Sequence, residues 1–284
     1  MNFFIGCAVW SYKGWVGEFY PQGTPPKDFL RLYSRRFTTV EGNTTFYALP
    51  SQETVKRWAA QTPPEFKFCL KLSRNITHNG SLKPHIKDAL KFAEIMRPLD
   101  TRLAPIFAQL PPSYAPSSLG DLTAFIEAWQ QTQLPLAIEV RHRDWFKQPH
   151  ADKLTNLLHK FGVGKVILDS RPIYTGENDP QLGSERRKPQ LPVLFELTAP
   201  FTLIRFISHP NSSINQPFME EWVTYIKEWL QSDKQIYFFV HCPQEEKSPQ
   251  TARSFYNLLA QRDIGVSPLP WNQNNHHPKQ LSLW

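Results

Sequence analysis

The sequence predicts an α/β protein with a single (β/α)8 TIM barrel. Short apolar strand candidates alternate with amphipathic helices along nearly the whole chain, and there are eight such strand candidates. Strands separated by helices imply right-handed parallel crossovers, and eight of them imply a closed barrel. An open doubly wound sheet is the alternative architecture for the same alternation.

The strand candidates are apolar runs of about five to eight residues. In chain order they are Phe3–Val9, a run ending at Glu41, Phe66–Leu72, Leu103–Leu110, Leu134–Val140, Val163–Asp169, Phe201–Ile207 and Gln235–Val240. Seven of the eight are followed by apolar residues at helical spacing. These include Phe29 and Tyr33, Val55 and Trp58, Ile86 and Leu90, Leu122 and Phe125, Leu154 and Leu158, Trp222 and Ile226, and Phe255 and Leu259.

Local signals support several of the predicted helix ends. Pro25 and Pro26 precede the first helix, Ser51 is an N-cap, and Gly162 is a C-terminal cap. Residues 170–200 are rich in turn formers and proline and have no helical period, so a long loop replaces the sixth helix. Because no linker interrupts the alternation, residues 1–266 form one barrel domain, and residues 267–284 form a flexible C-terminal tail.

Composition narrows the class of protein. The chain has 284 residues, a net charge of +7 and three isolated cysteines, without C-x-x-C spacing. A basic chain favours anionic partners, and isolated cysteines indicate buried thiols in a reducing cytoplasm. The longest apolar runs are too short to cross a membrane, and the N-terminus has no secretory signal. We therefore expect a cytoplasmic protein.

Polar residues stand where the predicted strands end. In a TIM barrel the carboxyl ends of the strands meet at one face, which carries the active site. The residues expected there are Glu41, Asn43, Lys71, Gln109, Glu139, Arg141, Asp169 and Arg205, with His78 in the third loop. Each could be a structural ion pair or a loop contact on its own, but their convergence predicts a ligand or catalytic site.

The mixture of charges suggests the chemistry. Lys71, Arg141 and Arg205 are suited to hold a phosphate-bearing substrate, while Glu41, Glu139, Asp169 or His78 moves protons. A divalent metal held by Glu41, Glu139, Asp169 and His241 for hydrolysis is an alternative, which leaves the cofactor open.

Aromatic residues flank these strand ends. Trp10 and Tyr12, in the first loop, and Tyr47, beside Phe46, are candidates to stack on a base or sugar. The alternative is that they pack as a hydrophobic lid or support the turn into the next helix.

Five segments in order resemble the family known as domain of unknown function 72 (DUF72). They are GCAVWSYKGWVGEFYP, TVEGNTTFYALP, KLSRNITH, FAQLPPS and IEVRHRDWF, and the resemblance covers about residues 3–265. The resemblance implies a TIM barrel and no established activity. It also implies that Glu41, Asn43, Lys71, His78, Gln109, Glu139 and Arg141 occupy the motif positions of the family.

Two segments depart from the family pattern. RFISHP stands where Arg-x-His-Gly is common, and VHCPQ stands where asparagines are common, so roles for His209 and His241 are less secure. By fold-level analogy the barrel is similar to metal-dependent apurinic endonucleases and sugar isomerases, but the chain lacks their set of histidine ligands.

The last five residues resemble the pentapeptide that binds the bacterial sliding clamp. Gln280, Leu281, Ser282, Leu283 and Trp284 would place two leucines and an aromatic anchor in a hydrophobic groove. The alternative is a strap that packs back on the barrel. Together with the basic charge, this motif favours a phosphate-bearing substrate such as DNA or a nucleotide. A small carbohydrate-like or phosphorylated metabolite is the alternative substrate, and a non-catalytic adaptor for nucleic acid or the clamp is the alternative function.

Overall fold

The computed structural model describes residues 2–183 and 187–273. All eight predicted strands are present. They are β1 Phe3–Cys7, β2 Thr39–Gly42, β3 Lys67–Leu70, β4 Ile106–Gln109, β5 Leu136–Glu139, β6 Gly164–Asp169, β7 Phe201–Ile207 and β8 Gln235–His241.

The α-helices follow the strands along the chain. They are α1 Phe29–Tyr33, α2 Thr44–Tyr47, α3 Gln52–Gln61, α4 Arg74–Thr77, α5 Ile86–Met96, α6 Leu119–Trp129, α7 His150–Phe161, α8 Ser212–Gln231 and α9 Ser248–Gln261. Ser51 caps α3 by accepting a hydrogen bond from the Thr54 amide at 3.2 Å. Gly162 ends α7 in the left-handed region with φ 62°, where glycine has no Cβ penalty.

The strands are parallel and form two hydrogen-bonded groups. Six lie in the order β1-β8-β7-β6-β5-β4, and β2 pairs with β3. Single bridges at Phe68–Leu103 and Lys71–Phe107 join β3 to the β4 side. The prediction of an α/β protein with parallel strands is confirmed. A closed barrel is not found, because the ladders among the described residues do not run continuously around the eight strands.

Strand β1 approaches β2 closely although no ladder joins them. The Thr38 amide donates to the Ile5 carbonyl at 3.2 Å. A Cβ at Gly6 would lie 1.9 Å from the Thr39 carbonyl oxygen, so only glycine permits this approach.

Alternation along the strands separates two apolar clusters. The larger cluster joins one face of the strands to the helices. The smaller one is made almost entirely of strand residues, including Phe4, Cys69, Phe107, Leu203 and Phe239, and lies on the opposite face, which we call the inner face. The carboxyl ends of the strands lie above this inner cluster.

The segment between β6 and β7 contains a short 3₁₀ turn, Arg171–Tyr174, and no α-helix among its described residues. Leu191 from this segment packs on Leu168 and Ile207 beyond the strand ends. The long loop predicted for residues 170–200 is therefore a chain that packs against the strand ends.

Residues after α9 also pack on the body of the protein. Leu269 is buried, and Trp271 contacts the rings of Phe19 and Phe37 at centroid distances of 5.1 and 5.4 Å. The predicted clamp-binding residues Gln280–Trp284 lie outside the described residues. No helix within the described ranges has both the length and the apolar character needed to cross a membrane.

Candidate functional site

A buried network of charges occupies the carboxyl ends of the strands. Arg205 donates from Nε and Nη2 to the two carboxylate oxygens of Glu41, both at 2.8 Å. Its Nη1 donates to Glu139 Oε2 at 2.6 Å. Glu139 Oε1 accepts in turn from Arg141 Nε at 2.6 Å. One guanidinium thus joins strands β2 and β5 from its position on β7.

Glu41 has further donors around it. Asn43 Nδ2 lies 2.7 Å from Glu41 Oε1 and 2.9 Å from the Ala8 carbonyl, which ties the end of β2 to the end of β1. His241 Nε2 lies 3.0 Å from Glu41 Oε2. Burial favours a higher pKa, but Arg205 and His241 outweigh it and hold the pKa of Glu41 well below its usual range.

Glu139 and His241 have pKa values that fix their charge at neutral pH. Burial opposes ionisation of Glu139, but Arg205 and Arg141 lower its pKa to about 2. Burial lowers the pKa of His241 to about 4, so this imidazole is neutral. At neutral pH the carboxylates of Glu41 and Glu139 are therefore ionised, and the imidazole of His241 is uncharged.

Lys71 differs from Arg141 and Arg205, the two arginines of the network, because it has no ion-pair partner among the described residues. Its Nζ donates to Gln109 Oε1 at 2.8 Å and lies 3.7 Å from the centroid of the Phe46 ring. The side chain is 6% exposed. Burial and then the neighbouring Arg205 lower the pKa of Lys71 to about 7.

The backbone around Lys71 is held by the neighbouring strands. Its amide donates to the Gly42 carbonyl at 3.2 Å, and its carbonyl accepts from Thr45 Oγ1 at 2.7 Å. A Cβ at Gly42 would meet Leu70 Cδ2 at 2.4 Å, so the Leu70 side chain fills the space beside this glycine. The backbone of Lys71 is therefore held in place at the edge of the charged network.

His78 connects Lys71 to the surface. Its Nε2 is 3.3 Å from Gln109 Nε2, its Nδ1 is 2.8 Å from Thr77 Oγ1, and its ring meets Phe46 edge-on with a centroid distance of 5.0 Å. The His78 side chain is exposed, whereas Gln109 is buried. Lys71, Gln109 and His78 form a polar path from the charged network to solvent.

We call the buried set on the inner side of the strand ends the strand-end site. It comprises Glu41, Lys71, Gln109, Glu139, Arg205 and His241. Of the residues predicted from sequence, Asn43, His78 and Arg141 lie against it through the contacts above. The sequence places His241 at the end of the eighth strand and offers it as an alternative metal ligand, with a less secure role because its segment departs from the family pattern. Its alternation with Tyr237 and Phe239 puts it on the inner face.

Asp169 does not join the strand-end site. It accepts from Arg171 at 2.9 and 2.8 Å and from the Trp222 indole at 2.9 Å. In the register of β6 with β7, Leu168 pairs with Arg205 and Asp169 pairs with Phe206. Since successive side chains point to opposite faces, Asp169 faces the helix α8.

The three predicted aromatic residues have different surroundings. Trp10 is buried against the rings of Trp58 and Phe68, at centroid distances of 5.4 and 6.3 Å. Tyr12 donates from its hydroxyl to Glu246. Tyr47 is 65% exposed and meets Phe46 edge-on at 5.2 Å. Only Tyr47 contacts a ring that borders Lys71, and Trp10 is part of the hydrophobic core.

Lys188 comes from the long segment between β6 and β7 and was not predicted from sequence. Its amide donates to Gln181 Oε1 at 2.7 Å, and Ser170 Oγ donates to the next carbonyl, that of Pro189, at 2.8 Å. Burial and then Arg205 and Arg141 lower the pKa of Lys188 to about 8. The side chain is therefore within electrostatic reach of the strand-end site.

The donor set does not fit a divalent metal as it stands. Each oxygen of Glu41 and of Glu139 accepts from a guanidinium group, so a metal cation on these carboxylates would lie against the positive charge of Arg205 or Arg141. Residues 2–183 and 187–273 contain no group of three or more His, Cys, Asp or Glu side chains placed to hold a metal ion.

Comparisons with known proteins identify the family. The sequence profile described as "Protein of unknown function DUF72" matches residues 4–274. The chain is 33% identical to the UPF0759 protein YecE of Escherichia coli K12 over 271 residues, which covers 93% of this chain and 96% of that relative. It is 23% identical to the UPF0759 protein YunF of Bacillus subtilis, with 99% of both chains covered.

Solved structures share the fold. A DUF72 family protein from Enterococcus faecalis aligns with a TM-score of 0.69 and 18% identity, covering 91% of this chain and 97% of that one. A DUF72 family protein from Thermotoga maritima aligns with a TM-score of 0.67 and 19% identity, covering 92% of this chain and 100% of that one. The chain belongs to the DUF72 family.

Proposed function

We propose that this protein is an enzyme that binds a small anionic substrate, most simply a phosphate-bearing metabolite, at the strand-end site and acts on it by acid–base chemistry. The proposal includes a TIM-barrel arrangement of the eight strands, with substrate entering above the inner face. The observation that carries it is the buried amine of Lys71, which has no ion-pair partner within the described ranges, donates to Gln109 and feels the positive charge of Arg205 and Arg141.

The charge balance supports an anionic ligand. The carboxylates of Glu41 and Glu139 balance the guanidinium groups of Arg205 and Arg141. Lys71 and Lys188 add positive charge beyond this balance. Burial and the two arginines lower the pKa of both lysines by more than Glu41 and Glu139 raise it. A bound anion would relieve this repulsion and raise both pKa values, so part of its binding energy comes from protonating the two lysines.

The titratable groups of the strand-end site support acid–base chemistry. With a pKa of about 7, Lys71 exists at neutral pH as amine and ammonium in similar amounts, so it can accept or donate a proton near its operating pH. Gln109 and His78 extend from its Nζ toward solvent and supply a route along which protons are exchanged. The carboxylates of Glu41 and Glu139, by contrast, hold their charge and orient the cations.

Burial favours a small substrate over a nucleic acid. The side chains of Glu41, Glu139 and Arg205 are at most 3% exposed, and a duplex backbone contacts exposed basic residues. The net charge of +7 favours DNA as a second candidate. The buried site therefore supports hydrolysis of DNA or a nucleotide less well than it supports chemistry on a small anion.

The test is ligand binding by Lys71→Met and Glu139→Gln variants. Isothermal titration calorimetry with inorganic phosphate and with small sugar phosphates should detect binding to the wild type at low salt and a loss of about tenfold or more in Lys71→Met. The matched control is Lys165→Met. Lys165 is also a buried strand lysine with a lowered pKa, but it belongs to β6 and lines a small cavity between Val140 and Leu191.

Abasic, nicked and single-stranded DNA, with and without Mn²⁺, form the second arm of the same experiment. Binding or cleavage of DNA that Glu139→Gln abolishes would establish the nucleic-acid version. If the wild type binds none of these anions, or if Lys71→Met and Lys165→Met behave alike, the proposal is wrong.

Binding of the sliding clamp is a separate proposal that rests on residues Gln280–Trp284 alone. It makes the protein a partner of the replication machinery, either as an enzyme or as a non-catalytic adaptor. Pull-down of the clamp by the full chain and not by a chain lacking these five residues would support it. Equal recovery by both chains would contradict it.

A further inference from the structure

Gln109 stands between two titratable side chains, Lys71 within the strand-end site and His78 at its exposed side. Its Oε1 accepts from Lys71 Nζ at 2.8 Å, and its Nε2 lies 3.3 Å from Nε2 of His78. The two contacts use opposite ends of one carboxamide, an acceptor toward Lys71 and a donor toward His78. Gln109 is 4% exposed, so water has little access to either end.

The direction of each hydrogen bond follows from this arrangement. An ammonium group only donates, so Oε1 of Gln109 faces Lys71 and the amide hydrogens face His78. Nε2 of His78 is therefore the acceptor, and the ring hydrogen is on Nδ1, which donates to Thr77 Oγ1 at 2.8 Å. The Thr77 hydroxyl in turn donates to the Ser73 carbonyl at 3.2 Å. Every bond in this chain has one donor and one acceptor when His78 is neutral.

The carboxamide of Gln109 cannot serve two cations. Protonation of His78 turns its Nε2 into a donor, which would then face the amide hydrogens of Gln109. Rotation of the carboxamide brings Oε1 to His78 and the amide hydrogens to Lys71, which suits Lys71 only as a neutral amine. An ammonium on Lys71 and an imidazolium on His78 therefore compete for one oxygen, and a buried donor that loses its acceptor is costly.

The other neighbours of the two side chains are compatible with this competition. The Phe46 ring centroid lies 3.7 Å from Lys71 Nζ and 5.0 Å from the centroid of the His78 ring, and Phe46 carries no charge. The charged groups that face Lys71 from the strand ends are Arg205, Glu139, Glu41 and Arg141. Burial and then Arg205 lower the pKa of Lys71 to about 7, so near neutral pH its ammonium form is lost at little cost.

We propose that Gln109 is a positioning residue that allows a proton on Lys71 or on His78 but not on both. A bound anion holds Lys71 as the ammonium and keeps His78 neutral, with its hydrogen on Nδ1. A proton on His78 turns the carboxamide oxygen toward the imidazolium and leaves Lys71 as a free amine. This inference rests on the proposed function, since it describes how the same site is regulated.

The first test is the titration of His78, followed by nitrogen-15 NMR of its ring in a double-mutant cycle of Lys71→Met and Gln109→Leu. Lys71→Met frees the carboxamide oxygen, so the titration midpoint of His78 should rise by about one pH unit. In the Gln109→Leu background the same substitution removes only repulsion through space, and the rise should be less than half as large. Lys165→Met, at a buried lysine of β6, is the control and should leave the midpoint unchanged.

Equal rises in the two backgrounds, or a neutral wild-type ring that carries its hydrogen on Nε2, would overturn the inference. Should Gln109→Leu fail to fold, Gln109→Glu replaces it. Its carboxylate has an oxygen for each cation, so the competition is lost, and Lys71→Met should again raise the His78 midpoint by less than half as much as in the wild type.

The second test connects the coupling to the anion, with inorganic sulfate as the probe because its charge is constant over the titration. In the wild type, saturating sulfate should lower the His78 midpoint because it keeps Lys71 protonated. In Gln109→Leu only the attraction between anion and imidazolium remains, so sulfate should raise the midpoint. Shifts in the same direction in both proteins would contradict the inference. If sulfate does not bind the wild type, the proposed function fails, and the double-mutant cycle still decides the coupling independently.

Discussion

Replacing Lys71 by methionine should stabilise the protein at neutral and acidic pH. The lysine has a pKa of about 7 in the folded chain against 10.5 in the unfolded chain, so the unfolded chain binds the proton more tightly. The folded state therefore bears a penalty that is complete below pH 7 and disappears as the pH rises to 10.5. Methionine has similar length and no charge, so it removes this penalty.

The magnitude follows from the pKa shift and from what the substitution removes. The shift corresponds to a penalty of about 5 kcal/mol at pH 6. Loss of the 2.8 Å hydrogen bond leaves the buried Gln109 oxygen without its donor, which costs about 1–3 kcal/mol. We expect Lys71→Met to raise the free energy of unfolding by about 2–4 kcal/mol at pH 6. The gain should shrink by up to ~1.4 kcal/mol per pH unit between pH 7 and 10.5.

The assay is urea denaturation of both proteins at pH 6, 7.5 and 9, followed by tryptophan fluorescence. The difference in the free energy of unfolding between variant and wild type isolates Lys71, because all other titrating groups are shared. A variant that is less stable than the wild type at pH 6, or a difference that does not change with pH, would refute the reasoning. Either result would mean that Lys71 is an ordinary charged lysine.

The remaining predictions concern the frame of the site. Arg205→Met leaves two buried carboxylates without their common partner and should cost about 3–5 kcal/mol of unfolding free energy, measured by urea denaturation. Gly6→Ala places a Cβ 1.9 Å from the Thr39 carbonyl oxygen and should lower the melting temperature by roughly 10 °C or more, or prevent folded expression. Asp169→Asn should cost about 1–3 kcal/mol by removing an ion pair on the helix side, yet leave phosphate affinity within about twofold of the wild type by calorimetry.

Most of the chain's architecture follows from patterns local in sequence. Strand β7 coincides with the predicted run Phe201–Ile207, and β1 ends two residues before the predicted Val9. The loop in place of a sixth helix was visible from its turn-forming residues. Whether the strands close into a barrel depends on how β1 meets β2 and how β3 meets β4. Those contacts are long-range, and apolar periodicity does not encode them.

The alternation of side chains along each strand predicts which residues of the candidate site share a face. It does not predict residues that reach the site from a distant loop. Residues on one face alternate, so Glu139 and Arg205 share the inner side, while Asp169 is one position out of phase with Leu168. Lys188 reaches the site through a long segment without periodicity.

The central claim is that Lys71 is a lysine of near-neutral pKa in a site built for an anion. The most direct measurement is its pKa, by NMR of protein labelled with carbon-13 at lysine Cε, assigned through Lys71→Met, with and without saturating sulfate. We predict a pKa of about 7 in the free protein, as burial and Arg205 dictate, and a rise of about one unit or more with sulfate. A pKa near 10.5 that sulfate does not change would contradict the claim.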